Sequence, residues 1–313
     1  MPHTMKHMGD VLAGNHATWE FDTDSLLIRF ERGIRTPRLF QSLRERRVPY
    51  AALSSVALSP GKRGTVVLHA VPRPGADPLL EAAAGQLKEG CDPYRLALPA
   101  DREALAEYYA DELRSVLAPD ASRPAERFMV AAPEAPMQFK AYDGRAGFDG
   151  SRVSFRWSWT GASSAKWKAG DQTFPVAELS GVEWRSPDAV EGYLRLVPRG
   201  ASPEADGPAP VPGQGCPDAA SRRVQADQDP AAVLFGLGYG PVHESLPFAA
   251  AVLESVRRTQ PAPLVPAPAP VGAPLRDPAA VAERMRHLGE LHRAGLVTDD
   301  EYSAKKAELL AEL

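Results

Sequence analysis

Residues Arg47–Leu58 read RVPYAALSSVAL, and Thr173–Trp184 read TFPVAELSGVEW. The chain repeats one phrase 126 positions later, with Pro49, Ala51, Leu53, Ser54 and Val56 matching Pro175, Ala177, Leu179, Ser180 and Val182. Each copy sets a proline among strand-forming residues. Proline has no N–H to give to a ladder, so the phrase is expected to begin at a strand edge or a bend rather than in a central strand.

The repeat extends in both directions. Upstream, FDTDSLLIRF (Phe21–Phe30) lies without gaps over FDGSRVSFRW (Phe148–Trp157), which aligns Leu26, Ile28 and Phe30 with Val153, Phe155 and Trp157. Their alternation is the period-two pattern of a half-buried strand. Downstream, GTVVLHAVPR parallels GYLRLVPRG, and DPYRLAL parallels DPAAVLF. Each half then closes on a helical pattern. The first runs over DREALAEYYADELRSVLA, with Asp101 as cap and Leu105, Tyr108, Tyr109, Leu113, Val116 and Leu117 as an apolar stripe. The second runs over ESLPFAAAVLESVRR, with Leu246, Phe248, Val252, Leu253 and Val256. Short strands followed by one helix predict an α+β unit in which a strongly bent antiparallel sheet is closed by its C-terminal helix. Both halves are interrupted just before the Asp-Pro pair. The first insert contains a short helical candidate with Asp77 ahead of Pro78; the second, over 200–228, is rich in Pro, Gly and Ala and is expected to be disordered.

Composition bounds what such a chain can do. Its 313 residues suffice for two domains and appendages, and a net charge of −4 leaves any attraction to anionic partners to a local patch. Two cysteines, Cys91 and Cys216, fit a reducing compartment and idle thiols. No apolar run reaches the ~18 residues of a membrane span. The N-terminus lacks the apolar core of a signal peptide, and a cytoplasmic location is expected. His3, His7 and His16 sit near an end expected to be disordered, and no metal site is expected there.

After a Pro/Ala-rich linker (259–275), residues 276–313 read as two short helices. Asp277 and Pro278 open the first, Gly295 stops it, and Thr298 with Glu301 form a capping box for the second. Fewer than about forty residues rarely fold alone, so this hairpin must dock, self-associate or fold on a partner. Its candidate contact residues are Met285, Leu288, Leu291, Leu296, Tyr302, Leu309 and Leu310.

The stretch LGELHRAGLVTDDEYSAKKAELL (288–310) resembles the SHOCT domain, a short helical hairpin found at the C-terminus of many bacterial proteins. The two halves resemble the bacterial domain-of-unknown-function family 4429, through PVAELSGVEW, the Phe-Asp-Gly turn and the late Asp-Pro with VLF. The first half departs from that pattern in having Thr-Asp-Ser for the glycine-containing turn and a partly helical insert. The resemblance implies tandem pleckstrin-homology-like (PH-like) rolls over 10–118 and 137–258, joined by a linker at 119–136. It also implies binding or scaffold modules without catalytic residues, with SHOCT mediating oligomerisation or interaction.

The clearest local anomaly is RFERGIRTPRLFQSLRERR, where residues 29–47 hold arginines at 29, 32, 35, 38, 44, 46 and 47 against Glu31 and Glu45. Under the PH-like reading this loop joins the second and third strands. Arg35, Arg38, Arg44, Arg46 and Arg47, extended by Lys62 and Arg63, form a candidate surface for anionic lipid. The matching stretch of the second half is RWSWTGASSAKWK. Trp157 and Trp159 share the face of Phe155 and are expected in the core, whereas Lys166, Trp167 and Lys168 are candidates for an exposed contact. FGLGYG (Phe235–Gly240) reads as a tight turn rather than a dinucleotide fingerprint, because it lacks the full spacing and the βαβ setting. No nucleophile motif, phosphate loop or paired carboxylates stand out. No catalytic residues, cofactor, metal or nucleic-acid partner is expected. The sequence reads as a non-catalytic scaffold with a protein or peptide partner and possible self-association through the hairpin. Peripheral association with the inner face of the membrane is the alternative.

Overall fold

The computed structural model describes residues 10–200 and 225–259. The hairpin residues Met285, Leu288, Leu291, Leu296, Tyr302, Leu309 and Leu310 lie outside the described residues, as do Cys216, His3 and His7. The described residues form one compact unit.

Its first half contains strands β1 (Asp10–Ala13), β2 (Ala17–Phe21), β3 (Ser25–Phe30) and β4 (Glu45–Pro49), with helix α1 (Arg38–Leu43) between β3 and β4. These four strands make an antiparallel sheet in sequence order. Strands β5 (Leu53–Pro60), β6 (Thr65–Pro72) and β7 (Arg95–Pro99) make a second sheet. Helix α2 (Pro78–Ala83) lies between β6 and β7, and α3 (Glu103–Ser115) closes the half. The second half repeats the plan. Strands β8 (Met137–Lys140), β9 (Gly144–Phe148), β10 (Arg152–Trp157) and β11 (Gln172–Pro175) form the four-stranded sheet, with α4 (Ser164–Ala169) before β11. The three-stranded sheet has β12 (Leu179–Arg185), β13 (Tyr193–Pro198) and β14 (Ala232–Leu234), and α5 (Val242–Thr259) follows.

The repeated phrase is the corner between the two sheets. Pro49 ends β4 and Pro175 ends β11, both edge strands, where the missing N–H costs no ladder bond. A single 3₁₀ turn (Tyr50–Ala52 or Val176–Glu178) then carries the chain into the second sheet. The first residues of β5 and β12 share one defect: pairing with β6 and β13 slips between Leu53 and Ser55, and between Leu179 and Gly181. Ser54 covers it by donating to the carbonyls of Val71 (3.0 Å) and Pro72 (3.3 Å), and Ser180 does the same to Val197 (3.1 Å) and Pro198 (3.3 Å). The matched serines are therefore bulge-bridging residues, and the bulge turns the strand to let one sheet fold over the other. Leu53 and Leu179 point inward and are fully buried; Val56 and Val182 pack against the same core.

The alternation in β3 and β10 places Leu26, Ile28, Val153 and Phe155 wholly inside, with Phe30 and Trp157 at the edge of the core. Helix α2 starts where Pro78 places it: the Asp77 carboxylate accepts from the Leu79 amide at 2.9 Å. The closing helix of the first half differs from expectation. Asp101 sits in a 3₁₀ turn and does not cap α3, and the buried stripe is Ala106, Tyr109, Ala110 and Leu113. Leu105 and Tyr108 remain substantially exposed, because the small alanines, not every apolar residue, lie against the sheet.

Helix α5 is covered on two sides, by its own sheets and by α1 and α2 of the first half. That explains its run of buried small residues, Ala249–Ala251, beside Leu246, Phe248 and Val252. Polar contacts fasten the same seam: Arg257 to Glu81 at 3.2 Å, Lys88 to Asp188 at 2.9 Å, and the Gln86 amide donating to the Trp184 carbonyl at 3.0 Å. The connection over 119–136 is irregular but packed, with Met129 and Val130 amides donating to the Ala76 carbonyl.

Candidate interaction surfaces

The basic stretch of the first half is not one loop. Leu39, Phe40 and Leu43 give α1 an apolar face that packs inward, and Phe40 stacks on Phe30 with centroids 4.6 Å apart. Strand β4 then resumes the period of two, so Arg46 points in with Val48 while Glu45 and Arg47 point out. Arg46 is thus not a surface residue. Its guanidinium, 3% exposed, donates to the Asp77 carboxylate at 2.6 Å, and Tyr94 donates its hydroxyl to the other oxygen of that carboxylate at 2.7 Å. Burial works against the arginine's charge, but Asp77 and Tyr94 outweigh it and hold its pKa above the ordinary range. Arg47 is exposed, yet it is engaged by Asp22 at 2.7 Å and by Ser25 at 2.8 Å.

The cations left facing solvent without a protein partner, among the described residues, include Arg32, Arg35, Arg38 and Arg44. Arg32 and Arg35 flank Ile34, a fully exposed aliphatic side chain on the turn before α1, whose two ends carry Arg38 and Arg44. Arg38 faces the start of α5: burial lowers the pKa of His243, Glu244 opposes that, and Arg38 adds to it. Lys62 and Arg63 are exposed at a different place, the tip of the β5–β6 hairpin. The segment joins the third and fourth strands, since β1 precedes the strands legible in sequence. His16 belongs to the ordered β1–β2 turn, with Nδ1 3.3 Å from the Thr36 hydroxyl. Cys91 is half-buried, and burial pushes its thiol pKa up.

In the second half, Ser163 caps α4 and Gly170, at φ +70°, ends it. Lys166, expected at the surface, is wholly buried. Its ammonium donates to Asp143 at 2.6 Å and lies 5.0 Å over the Trp157 ring. The other Asp143 oxygen accepts from the Leu234 amide at 2.9 Å. Burial lowers the Lys166 pKa, and Asp143 offsets part of that. Trp167 and Lys168 do face outward, Trp167 by about half its surface (49%). Trp157 is core, its indole donating to the Gly170 carbonyl at 2.7 Å. Trp159 is not: β10 ends at Trp157, the alternation ends with it, and Trp159 stands 80% exposed on the following turn.

These residues gather at one end of the second half. Trp159 and Trp167 meet edge to face at 5.1 Å, and Tyr142 and Tyr239 at 6.3 Å. The turn carrying Trp159 is tied to the β8–β9 turn, since the Ser158 amide donates to the Asp143 carbonyl at 2.9 Å. The FGLGYG stretch is a tight turn closed between Gly236 and Tyr239, with Leu237 fully exposed at its tip. Gly240 takes φ +60°, and a Cβ there would fall on the Phe235 ring. Tyr142, Tyr193, Phe235, Leu237 and Tyr239 line a cleft of about 1060 Å³, with Arg185, Glu191 and Asp227 at its margins. Sequence reading found Trp167. It missed Trp159, Tyr142 and Tyr239, which come together only through three separate loops.

Among the described residues, no helix is long and apolar enough to cross a membrane. The profile of the family described as Domain of unknown function (DUF4429) matches the chain twice, over residues 19–114 and 146–253. The two matches fall on the two halves of the duplicated fold. No curated protein matches the chain.

Proposed function

The chain belongs to the DUF4429 family, and from that premise we propose that it is a cytoplasmic, non-catalytic scaffold that binds protein or peptide through its tandem body. The observation that carries this reading is the aromatic end of the second half. Trp159 and Trp167 expose their rings on neighbouring turns, and Tyr142 and Tyr239 line a cleft, the kind of side chains expected at an interface hot spot. The four-plus-three strand plan with a closing helix supports regarding each half as a PH-like roll, a fold that presents binding loops at one end of a stable core. The C-terminal hairpin, read as SHOCT-like, supplies oligomerisation, and linking several bodies raises avidity by roughly 10²–10⁴ without new contacts. Light scattering of the full chain against a chain ending at Pro274 tests this. A mass above the monomer for the first and a monomer for the second is the expected result; equal monomer masses would refute oligomerisation through the hairpin.

A second reading is favoured by a specific observation: the segment 32–44 exposes Ile34 together with Arg32, Arg35, Arg38 and Arg44. An exposed aliphatic side chain on a segment rich in exposed cations suits adsorption to an anionic bilayer, at about 1 kcal/mol per basic residue near the surface. Co-sedimentation with anionic vesicles at low salt is expected, with loss on changing the four arginines to Glu. Failure of the unmodified protein to sediment ends this reading.

A further inference from the structure

We propose that the outer face of the four-stranded sheet of the second half receives an extended acidic segment of a partner protein, whose carboxylates are held by Lys140, Arg145 and Arg156. The inference rests on the scaffold reading and names the chemistry of what the body binds. Three observations carry it.

The first is a row of like charges. Arg145 on β9 stands directly opposite Lys140 on β8 and Arg156 on β10, so three cations lie side by side across three neighbouring strands. All three side chains are exposed, on the outward phase that they share with Gln138, Gly147 and Ser154. Like charges directly opposite one another destabilise a sheet. None of the three has a carboxylate partner among the described residues. Asp171, just ahead of β11, instead accepts from the Trp157 amide at 3.2 Å.

The second is the matching place in the first half. There the same row reads Ala13, Thr18, Arg29 and Glu45. Its one cation, Arg29, is answered twice, by Glu20 at 3.2 Å and by Glu45 at 3.8 Å. Glu20 is the fourth residue of β2, and Gly147 is the fourth residue of β9. The second half therefore keeps the arginine as Arg156, sets two more cations beside it and omits the glutamate. The first half identifies the group that fits this face, a carboxylate reaching the arginine from a diagonal cross-strand position. At Gly147 that position carries no side chain, and a Cβ there would meet only the Ser154 hydroxyl, at 2.9 Å. A carboxylate from outside the chain can take it.

The third is continuity with the exposed rings. The Lys140 ammonium lies 5.0 Å over the Tyr239 ring, and Arg156 is three residues ahead of Trp159. The cation row thus adjoins the end of the second half already read as an interface. An extended segment suits a flat sheet face, because alternate side chains fall on one side and bring every second carboxylate down onto the cations.

The test is a titration of full-length protein into a fluorescein-labelled decapeptide of alternating Glu and Ser, read by fluorescence anisotropy at low salt. Saturable binding that weakens as salt rises is expected, with none for a decapeptide of alternating Gln and Ser. Arg145→Gln combined with Arg156→Gln is expected to weaken binding at least tenfold while leaving the melting temperature equal or higher, since it removes a repulsion. Gly147→Glu is expected to weaken binding to a similar extent, by supplying within the chain the carboxylate that the first half carries as Glu20. Arg29→Gln, in the first half, is expected to leave binding unchanged. Absence of saturable binding, equal binding of the Gln peptide, or unchanged binding by either second-half variant would each overturn the proposal. So would a single-stranded oligonucleotide or an anionic vesicle that binds more tightly than the acidic peptide and is lost in the double variant, which would assign the row to phosphate. A full chain that scatters as an oligomer yet ignores the acidic peptide keeps the scaffold reading and removes this one; a monomer that binds the peptide keeps this one and removes oligomerisation through the hairpin.

Discussion

Arg46 and Arg47 are neighbours on β4, each bonded to an aspartate, and their replacement by methionine should have sharply different effects. Arg46 and Asp77 have side chains 3% and 0% exposed, whereas Arg47 and Asp22 are 57% and 46% exposed. Arg46→Met leaves Asp77 ionised in the interior, still holding the Leu79 amide and the Tyr94 hydroxyl but without a countercharge. Breaking a buried pair in this way costs about 3–5 kcal/mol, while an exposed pair contributes about 0–1 kcal/mol. In a unit of this size each kcal/mol moves the melting temperature by about 2–4 °C, so Arg46→Met should melt roughly 6–20 °C lower and Arg47→Met within about 4 °C of the parent. Urea unfolding followed by circular dichroism, with equal slopes for the variants, converts the shift into free energy. The double variant Arg46→Met with Asp77→Asn should recover part of the loss, because Asn keeps an acceptor for the Leu79 amide without burying a charge. Arg46→Met and Arg47→Met of equal stability would refute the burial of Arg46 and return it to the basic surface.

Three further outcomes follow from the same structure. Lys166→Met should destabilise by about 3–5 kcal/mol in urea by orphaning buried Asp143, and adding Asp143→Asn should restore part of it; additive losses would contradict the pairing. Tyr50 donates to the Asp22 carbonyl at 2.7 Å, and burial, with Asp22 and Asp24, pushes its pKa up to about 12. Folding thus favours the protonated phenol: its contribution is complete below the unfolded value near 10 and disappears as pH rises from about 10 to 12. Comparing parent and Tyr50→Phe by urea unfolding at pH 8 and 11.5 isolates this group, and an equal pH dependence would exclude it. Gly240→Ala should lower the melting temperature more than Gly238→Ala. Both residues have positive φ, costing about 1–2 kcal/mol for a side chain, but only at Gly240 would the new Cβ collide with Phe235.

The duplication made most of the fold legible, because a bent sheet leaves the same marks twice: a proline at the corner, a serine over the bulge, and an alternating strand upstream. What stayed hidden depended on partners distant in sequence. Arg46 follows the phase of Val48, which puts it inside, but a charge is tolerated there only because Asp77 arrives from α2, 31 residues later. Lys166 is inside because Asp143 reaches it from the β8–β9 turn. Trp159 was expected in the core by extending the alternation of β10 two residues past the strand's end. Leu105 and Tyr108 were counted into the stripe of α3 for their hydrophobicity, while Ala106 and Ala110 hold the inward positions. In each case residue type suggested one side of the surface, and chain geometry decided the other.

The buried pair of the second half also bears on its candidate surface. Asp143 follows Tyr142 and Lys166 precedes Trp167, so each inward charge sits next to an outward ring. The 2.6 Å contact between the charges fixes α4 against the β8–β9 turn, and with it the distance between the two aromatic pairs. The first half has a pair of the same kind, Arg46 with Asp77, but it joins β4 to α2, next to the seam with α5. One copy therefore uses its internal ion pair to fix α2 against β4, and the other to fix α4 against the β8–β9 turn. A buried ion pair is a weak source of net stability but a strict geometric constraint. Its different placement marks where two otherwise matching halves diverge: α2, which the first pair holds, packs against α5, and α4, which the second pair holds, carries the exposed Trp167.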